Sequence, residues 1–343
     1  MKNAKIAALS VATAATALVL LAAADIGVTG CSKTPPTFRV TATVPVGKSA
    51  SGVAVDPGTH TVYVTNRGDD TMSVIDASTR TVTATVPVGK PFYDPEGVAV
   101  DPGTHTVYVT HYGVTVSVID ASTRTVTATV PLGTGPEENP AGVAVDPDSH
   151  TVYVGRLRTA AAHVGNYDGT VSVIDAPTRT VTADVTVGKQ LHEVAVDPGT
   201  HTVYATNATD NTVSVIDAST HTVVATVPVG RNPGDLAVDP GSHTVYVANG
   251  GDGTVSVIDA PTRTVVATVS VGKNPVGMAV DPGTHTVYVA NNGRVSVIDA
   301  STRTATATVP VGKHPGGLAV DPGSHTVYVT NGGDNTVSVI ESR

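Results

Sequence analysis

Short runs of alternating apolar and polar residues, separated by turn sequences, dominate this chain. In the run from Thr61 to Thr65, Val62 and Val64 face one way and Tyr63 faces the other. A period of two is that of a β-strand, and apolar groups on both faces predict a strand that is covered on both sides. The first complete unit contains four predicted strands and no helix: Gly52 to Val55, Thr61 to Thr65, Thr71 to Ile75 and Thr81 to Val88.

This block of four predicted strands recurs seven times. Each copy carries a Val-Asp-Pro landmark, with a tyrosine seven residues after the aspartate, and the landmarks are 45, 45, 51, 42, 42 and 40 residues apart. The seven aspartates are Asp56, Asp101, Asp146, Asp197, Asp239, Asp281 and Asp321. A period of this length is typical of solenoids and propellers. Seven units of four strands predict an all-β fold, a seven-bladed β-propeller with antiparallel blades.

The two ends of the repeat region predict that the ring closes on itself. The last unit stops after three strands, at Ile340, whereas the region begins with a lone segment, Val40 to Gly47, that matches the fourth strand Val82 to Gly89. We therefore expect the N-terminal strand to complete the last blade. This arrangement removes an open sheet edge.

The tetrapeptide Tyr63-Val64-Thr65-Asn66, repeated as Tyr328-Val329-Thr330-Asn331, is the signature of a known group. In these residues the chain resembles the YVTN-repeat (YncE-like) propellers, over Val40 to Ile340. The resemblance implies the propeller fold and an exported or surface protein of poorly defined activity. Related propellers include lactonases and the haem-binding part of some nitrite reductases, so the resemblance does not carry a chemistry with it.

The N-terminus has the pattern of an export signal. Lys2 and Lys5 precede an apolar run from Ile6 to Ala24, and Val28-Thr29-Gly30-Cys31 resembles a bacterial lipobox. We expect a signal peptide over residues 1–30, a lipid-anchored tether over 31–37 that begins at lipidated Cys31, and the propeller over 38–343. The alternatives are cleavage after Ala24 or an uncleaved anchor. The expected location is the outer side of the cell membrane, towards the periplasm or the exterior.

Composition narrows the classes of partner. The formal net charge is −9, which disfavours nucleic acid, and the single cysteine excludes an intramolecular disulfide. Aromatic residues make up only 3% of the chain, so valine, alanine and isoleucine must fill the core. A partner would be a protein, a glycan or a small ligand, in addition to the membrane at the lipid anchor, and we expect a monomer.

A histidine follows each landmark aspartate by four residues, across a tight turn. Seven copies of one pair argue for a structural role. We expect the aspartate to accept hydrogen bonds from the backbone of its own turn, with the histidine packed beside it.

Irregular loops are confined to one end of the ring. In antiparallel blades, the loops between first and second and between third and fourth strands share one end, which we call the constant face. The second-to-third hairpins and the crossovers between blades share the other end, the variable face. Loops of blades 2 to 4 on the variable face break the repeat, and binding usually resides in such loops. The candidate ligand- or partner-binding residues are Tyr93, Glu96, His111, Tyr112, Arg156, Arg158, His163 and Tyr167.

A second candidate site lies at the mouth of the central channel. Five inner strands begin with glycine at the position four residues before the landmark aspartate, but blades 4 and 5 have Glu193 and Asp235 there. With neighbouring His192, this pair could hold a divalent cation or act as acid and base. The alternative is a solvated polar rim. No other cofactor is predicted, and the catalytic residues are not defined.

These observations favour a non-enzymatic binding or scaffold module that acts through the variable face of blades 2 to 4. The competing hypothesis is a metal-assisted hydrolase or lactonase at the channel mouth.

Most crossovers on the variable face contain a basic residue: Lys48, Lys90, Lys189, Arg231, Lys273 and Lys313. Acidic residues and the lack of interleaved aromatic residues disfavour a nucleic-acid platform there.

Overall fold

The structure is a computed structural model. It describes residues 36–89, 94–112, 115–133, 138–158 and 168–343, and of Glu138 and Arg158 only the backbone. In these residues, 28 strands form seven four-stranded antiparallel sheets, which are the seven blades. The sequence-based prediction of a seven-bladed β-propeller is confirmed.

In blades 1 to 6, the four strands of a blade follow one another in chain order. Blade 1 contains β2 (Ala50–Asp56), β3 (Thr61–Asn66), β4 (Thr71–Asp76) and β5 (Thr81–Pro87), with a 3-10 turn at Arg67–Asp69. Blade 2 contains β6 (Pro95–Asp101), β7 (Thr106–His111), β8 (Thr115–Asp120) and β9 (Thr125–Pro131). Blade 3 contains β10 (Glu138–Asp146), β11 (Thr151–Arg158), β12 (Asp168–Asp175) and β13 (Thr180–Lys189). Blade 4 contains β14 (Leu191–Asp197), β15 (Thr202–Asn207), β16 (Thr212–Asp217) and β17 (Thr222–Pro228).

Blades 5 and 6 keep this order, and blade 7 takes its fourth strand from the N-terminus. Blade 5 contains β18 (Pro233–Asp239), β19 (Thr244–Asn249), β20 (Thr254–Asp259) and β21 (Thr264–Ser270). Blade 6 contains β22 (Pro275–Asp281), β23 (Thr286–Asn291), β24 (Arg294–Asp299) and β25 (Thr304–Pro310). Blade 7 contains β26 (Pro315–Asp321), β27 (Thr326–Asn331), β28 (Thr336–Ser342) and the N-terminal strand β1 (Phe38–Pro45).

The N-terminal strand closes the ring as predicted. Strand β1 pairs antiparallel with β28, from Phe38 opposite Ser342 to Pro45 opposite Thr336. The last sheet therefore has the order β1-β28-β27-β26, and its outer strand comes from the start of the repeat region.

The core consists of layers between neighbouring blades, because each sheet is covered on both faces. Val62 and Val64 of blade 1 pack in a cluster with Tyr328 of blade 7, while Tyr63 packs with Val107 of blade 2. All of these side chains are buried. Apolar residues on both faces of these strands are therefore explained by burial between two neighbouring blades.

Each recurring histidine contacts the aspartate of the preceding blade, and the expectation that it packs beside the aspartate of its own turn is wrong. Asp56 Oδ1 does accept the Gly58 N–H of its own turn, at 2.9 Å, but Asp56 Oδ2 lies 2.7 Å from Nδ1 of His105 in the next blade. The same inter-blade His–Asp pair occurs at every junction, at 2.6 to 2.9 Å: His60–Asp321, His105–Asp56, His150–Asp101, His201–Asp146, His243–Asp197, His285–Asp239 and His325–Asp281. The histidine reaches the neighbour because the hairpins of adjacent blades stand side by side on the constant face.

These pairs place a buried carboxylate against a partly exposed imidazole. Burial alone would raise the pKa of Asp146, but hydrogen bonds from His201, from the Asp148 N–H and from Ser149 outweigh it, so this pKa is lowered. The hydrogen bond to Asp146 raises the pKa of His201. Such pairs join the blades of the ring around the constant face.

In the part of the chain that the structure describes, no helix is long and apolar enough to cross a bilayer.

Candidate functional site

The mouth of the central channel is built from β-bulges at the start of the inner strands. Pairing between β14 and β15 shifts register between Leu191 and Val194, and pairing between β18 and β19 shifts between Pro233 and Leu236. A bulge leaves the intervening residues outside the regular ladder and re-aims their side chains. Residues 192–193 and 234–235 occupy these bulges, so His192, Glu193 and Asp235 line the mouth.

Glu193 is held by the strand next to it and faces the preceding blade. Its N–H donates to Thr206 Oγ1 at 3.0 Å, and Thr206 Oγ1 in turn donates to the Gly234 carbonyl of blade 5 at 2.7 Å. Its own Oε1 accepts the Val194 N–H at 3.1 Å. The carboxyl group fills the space in front of Gly142 in blade 3, where an added Cβ atom would overlap Glu193 Oε1.

Asp235 connects blades 5 and 6. Its Oδ1 accepts the Leu236 N–H at 2.7 Å, and its Oδ2 accepts the Met278 N–H of β22 at 2.6 Å. The residue is only partly exposed. Its carboxyl group therefore replaces, with two backbone hydrogen bonds, the glycine that most other blades have at this position.

Both carboxyl groups are harder to ionise than ordinary ones. Burial raises the pKa of Asp235 to about 7, although the hydrogen bonds from Met278 and Leu236 act against the shift. Burial also raises the pKa of Glu193 well above its usual value, and the neighbouring charges of Asp235 and Glu96 add to that effect. A positive charge placed between these groups would favour their ionised forms.

A cavity of about 410 Å³ lies at this mouth and unites two sets of candidate residues. Glu96 and Tyr112 of blade 2 line it together with His192, Glu193 and Asp235. A deeper cavity of about 330 Å³ continues into the channel between the inner strands, and Glu193 and Asp235 line both. The two carboxyl groups therefore stand at the boundary between the mouth and the channel.

The blade 2 side of the mouth has a small polar cluster. Arg67 Nη1 lies 3.6 Å from Glu96 Oε1, and the Arg67 guanidinium lies 5.6 Å from the centre of the Tyr112 ring. Burial raises the pKa of Glu96, which the Arg67 charge partly counteracts. Tyr112 is 36% exposed and is one of the residues that line the cavity.

Two candidates of the variable face lie inside their blades. His111 is fully buried, with Nε2 2.8 Å from Ser117 Oγ, and Arg156 is buried with Nη2 2.7 Å from Asp184 Oδ1. Both occupy the position of Asn66, whose side chain points inward and donates to Ser73 Oγ. Their expected place on the exposed surface is thus wrong, because the repeat directs this side chain into the blade.

Five other candidates lie wholly or partly outside the residues that the structure describes. Cys31, Tyr93, His163 and Tyr167 lie outside the described residues, and of Arg158 the structure describes only the backbone. The predicted lipidation of Cys31, the predicted binding roles of the other four residues, and the signal and tether segments stay predictions.

The mouth does not have the ligand set of a typical metal site. In the described ranges, no three or more His, Cys, Asp or Glu side chains form a group that could hold a metal ion. His192 is exposed at the rim and does not complete such a group with the two carboxylates.

One residue that lines the mouth was not predicted from the sequence. Val276 of blade 6 lines the mouth and is 50% exposed, although the corresponding positions in blades 5 and 7 are Gly234 and Gly316. A branched apolar side chain at a position that otherwise faces solvent was the available signal.

Comparisons with known proteins identify the fold. A solved structure of hydrazine synthase from Kuenenia stuttgartiensis matches with a TM-score of 0.71 and 21% identity, over 85% of this chain and 95% of that chain. No protein-family model matches the chain, and no curated protein matches it. Since 1683 chains of solved structures match, the likeness establishes a widespread fold and no activity.

Proposed function

We propose that the protein is an exported, non-enzymatic binding module whose variable face takes a small organic cation into the mouth of the central channel. The observation that carries the proposal is the cavity of about 410 Å³ whose lining includes three acidic residues: Glu96, Glu193 and Asp235. Its volume falls within the range of small-molecule sites.

The chemistry of the lining favours a cationic ligand. The raised pKa values of Glu193 and Asp235 mean that burial disfavours two negative charges at this place. An ammonium group would supply the missing positive charge and donate hydrogen bonds to the carboxylates. Tyr112 adds an aromatic face of the kind that attracts organic cations.

The competing hypothesis of a metal-assisted hydrolase receives less support. A catalytic metal usually has three protein ligands and an open position. At the mouth, the described side chains supply two carboxylates without a third ligand grouped with them. We therefore infer binding as the role of the site.

The cellular setting is proposed from the sequence. The apolar run from Ile6 to Ala24 and the lipobox-like segment that ends at Cys31 support export and a lipid tether. The repeated Tyr-Val-Thr-Asn tetrapeptides support membership of the YVTN-repeat propellers. In such a setting, the protein would hold its ligand on the outer side of the membrane.

Titration calorimetry of the full-length protein with putrescine and with choline tests the proposal. We expect one-site binding of at least one of these amines, with affinity that rises between pH 5 and pH 8 because the bound cation favours ionised carboxylates. Glu193→Gln should weaken binding by about tenfold or more, the usual effect of losing a charged hydrogen bond.

The matched control is Asp76→Asn, which removes a carboxylate from the constant face and should leave binding unchanged. Magnesium and calcium serve as comparison ligands. Binding of neither amine, or amine binding that Glu193→Gln leaves intact, would refute the proposed ligand class. Tight calcium binding that depends on both carboxylates would instead favour the metal-based alternative.

A further inference from the structure

Hairpins on the variable face hold the crossover that enters their own blade. Four blades have a four-residue hairpin whose third residue is aspartate. Its Oδ2 accepts the backbone N–H of the basic crossover residue at 2.6 to 2.8 Å, in the pairs Lys48–Asp69, Lys189–Asp210, Arg231–Asp252 and Lys313–Asp334. A carboxylate on this N–H is therefore part of the repeating design.

The hairpin contributes more than this one bond. Ion pairs join the side chains of Lys48 and Asp69, Arg231 and Asp252, and Lys313 and Asp334. Hairpin N–H groups also donate to crossover carbonyls, as in blade 7, where Gly333 donates to Lys313 O and Gly332 donates to His314 O, both at 3.0 Å. Each such hairpin thus presents a carboxylate and two adjacent N–H groups to the crossover.

Blade 6 lacks this partner. Only Asn292 and Gly293 connect β23 to β24, where blade 7 has the four residues 332–335. Lys273 holds the position of Lys313, and among the described residues neither its N–H nor its ammonium group has a carboxylate partner. The two missing residues remove the aspartate that would have reached it.

A second donor is exposed by the same short hairpin. The N–H groups of Ser49 and Asn232 donate to the last asparagine of the preceding blade's hairpin, Asn335 Oδ1 and Asn211 Oδ1, both at 2.8 Å. His314 holds the equivalent position after blade 6, whose hairpin ends at Gly293 and offers no side chain. Within the described part of the chain, its N–H makes no hydrogen bond.

A cavity of about 540 Å³ occupies this place. Its lining includes Asn274, Asn292, Lys313 and His314, with Val276 on the side of the channel mouth. Lys313 and His314 line the cavity, and Lys273 directly precedes the lining residue Asn274. Lys313 is already paired with Asp334, so Lys273, which has no carboxylate partner among the described residues, is the cation available to an anionic group.

We propose that this cavity, the blade 6 subsite, binds an acidic peptide segment that takes the place of the missing half of the hairpin. A carboxylate of the peptide accepts the Lys273 N–H and pairs with the Lys273 ammonium group. Peptide N–H groups donate to the carbonyls of Lys273 and Asn274, as hairpin N–H groups do in blade 7. This need for a carboxylate beside N–H donors favours a peptide over an acidic glycan.

Amide-detected NMR of the full-length, isotopically labelled protein tests the proposal, with acetyl-Gly-Gly-Asp-Asn-amide as the probe. This peptide has the sequence of residues 332–335. We expect the amide signals of Lys273 and His314 to shift, and the Asn-for-Asp peptide to bind about tenfold more weakly or worse. Lys273→Gln should weaken binding similarly, whereas Lys48→Gln should not, because Asp69 already occupies the equivalent place.

A graft makes the test independent of single side chains. Replacing Asn292-Gly293 by Gly-Gly-Asp-Asn should fill the subsite from within and abolish peptide binding. The same graft with Ala for Asp leaves the Lys273 N–H without its carboxylate.

Three results would overturn the proposal: no shift of Lys273 or His314 with millimolar peptide, equal affinity for the Asp and Asn peptides, or preferential binding of glucuronate. Amine binding at the channel mouth is measured separately, so either site can fail without the other.

Discussion

The carboxyl group of Asp235 should make the stability of the propeller fall as the pH rises from 5 to 8. Its pKa is about 7 in the folded protein, mainly through burial, against an ordinary value of 3.8. Because the folded value is the higher one, the folded protein binds more protons than the unfolded chain in this window. The free energy of unfolding therefore decreases with pH until the folded group has ionised.

The size of the effect follows from the two pKa values. Between pH 5 and pH 8 the folded protein loses nearly one proton at this site, whereas the unfolded chain has already lost it. Integrated over that interval, the difference is at most about 2–3 kcal/mol of unfolding free energy. Partial exposure of Asp235 to solvent reduces it.

Urea unfolding at pH 5 and pH 8 measures this quantity, followed by circular dichroism because the chain has no tryptophan. Asp235→Asn should lose some stability at both pH values, since Asn cannot accept both backbone N–H groups. The informative quantity is the change between the two pH values, which should shrink in the variant by about 2 kcal/mol. Asp76→Asn on the constant face is the control and should keep the wild-type change. An unchanged slope in Asp235→Asn would show that this carboxyl group ionises normally.

Two further predictions concern the packing between blades. His105→Ala should lower the unfolding free energy by about 1.5–3 kcal/mol, because it removes a charged hydrogen bond from buried Asp56. His221→Ala is the control, since His221 lies outside the His–Asp pairs, and it should change the unfolding free energy little. Equal losses for the two variants in thermal or urea unfolding would contradict this role of His105. Gly142→Ala should cost about 1–3 kcal/mol through its overlap with Glu193, while Gly234→Ala, with open space around it, should be near neutral. Adding Glu193→Gly should restore Gly142→Ala, and a double-mutant cycle without coupling would refute the contact.

The fold was predictable because its determinants are local and repeated. Alternation at Val62, Tyr63 and Val64 defines a strand covered on both faces, and seven copies define the number of blades. The lone strand at the N-terminus indicated closure. These inferences need only the period of a strand and the rule that sheet edges must be covered.

The site was predictable in part. Glu193 and Asp235 stood out because they replace glycine at the start of an inner strand. Their hydrogen bonds were not predictable, since the contact between Asp235 and the Met278 N–H depends on how blade 6 stands beside blade 5. The inter-blade His–Asp pairs escaped for the same reason.

His111 and Arg156 teach a different lesson about irregular sequence. Both adjoin atypical hairpins, and that neighbourhood suggested exposed binding residues. His111 follows Tyr108 by three residues, and Arg156 follows Tyr153 by three. Buried Asn66 stands at the same distance from Tyr63. The alternation of the strand decides where a side chain points, even when the residue type is unusual.

In a ring of near-identical units, a pair of hydrogen-bonded side chains that recurs in every unit is structural. A unit in which one member of such a pair is missing is a place where a ligand can bind. The His–Asp pair occurs at all seven junctions, so no single copy of it stands out as a binding site. The pairing of a crossover lysine with a hairpin aspartate occurs in blade 7 but is missing at Lys273. Conversely, Glu193 and Asp235 are carboxylates added where the repeat has none. The missing aspartate and the two added carboxylates all lie on the variable face, and Val276 lines both the cavity at the channel mouth and the cavity at blade 6. The constant face, in contrast, has the same His–Asp pair at every junction.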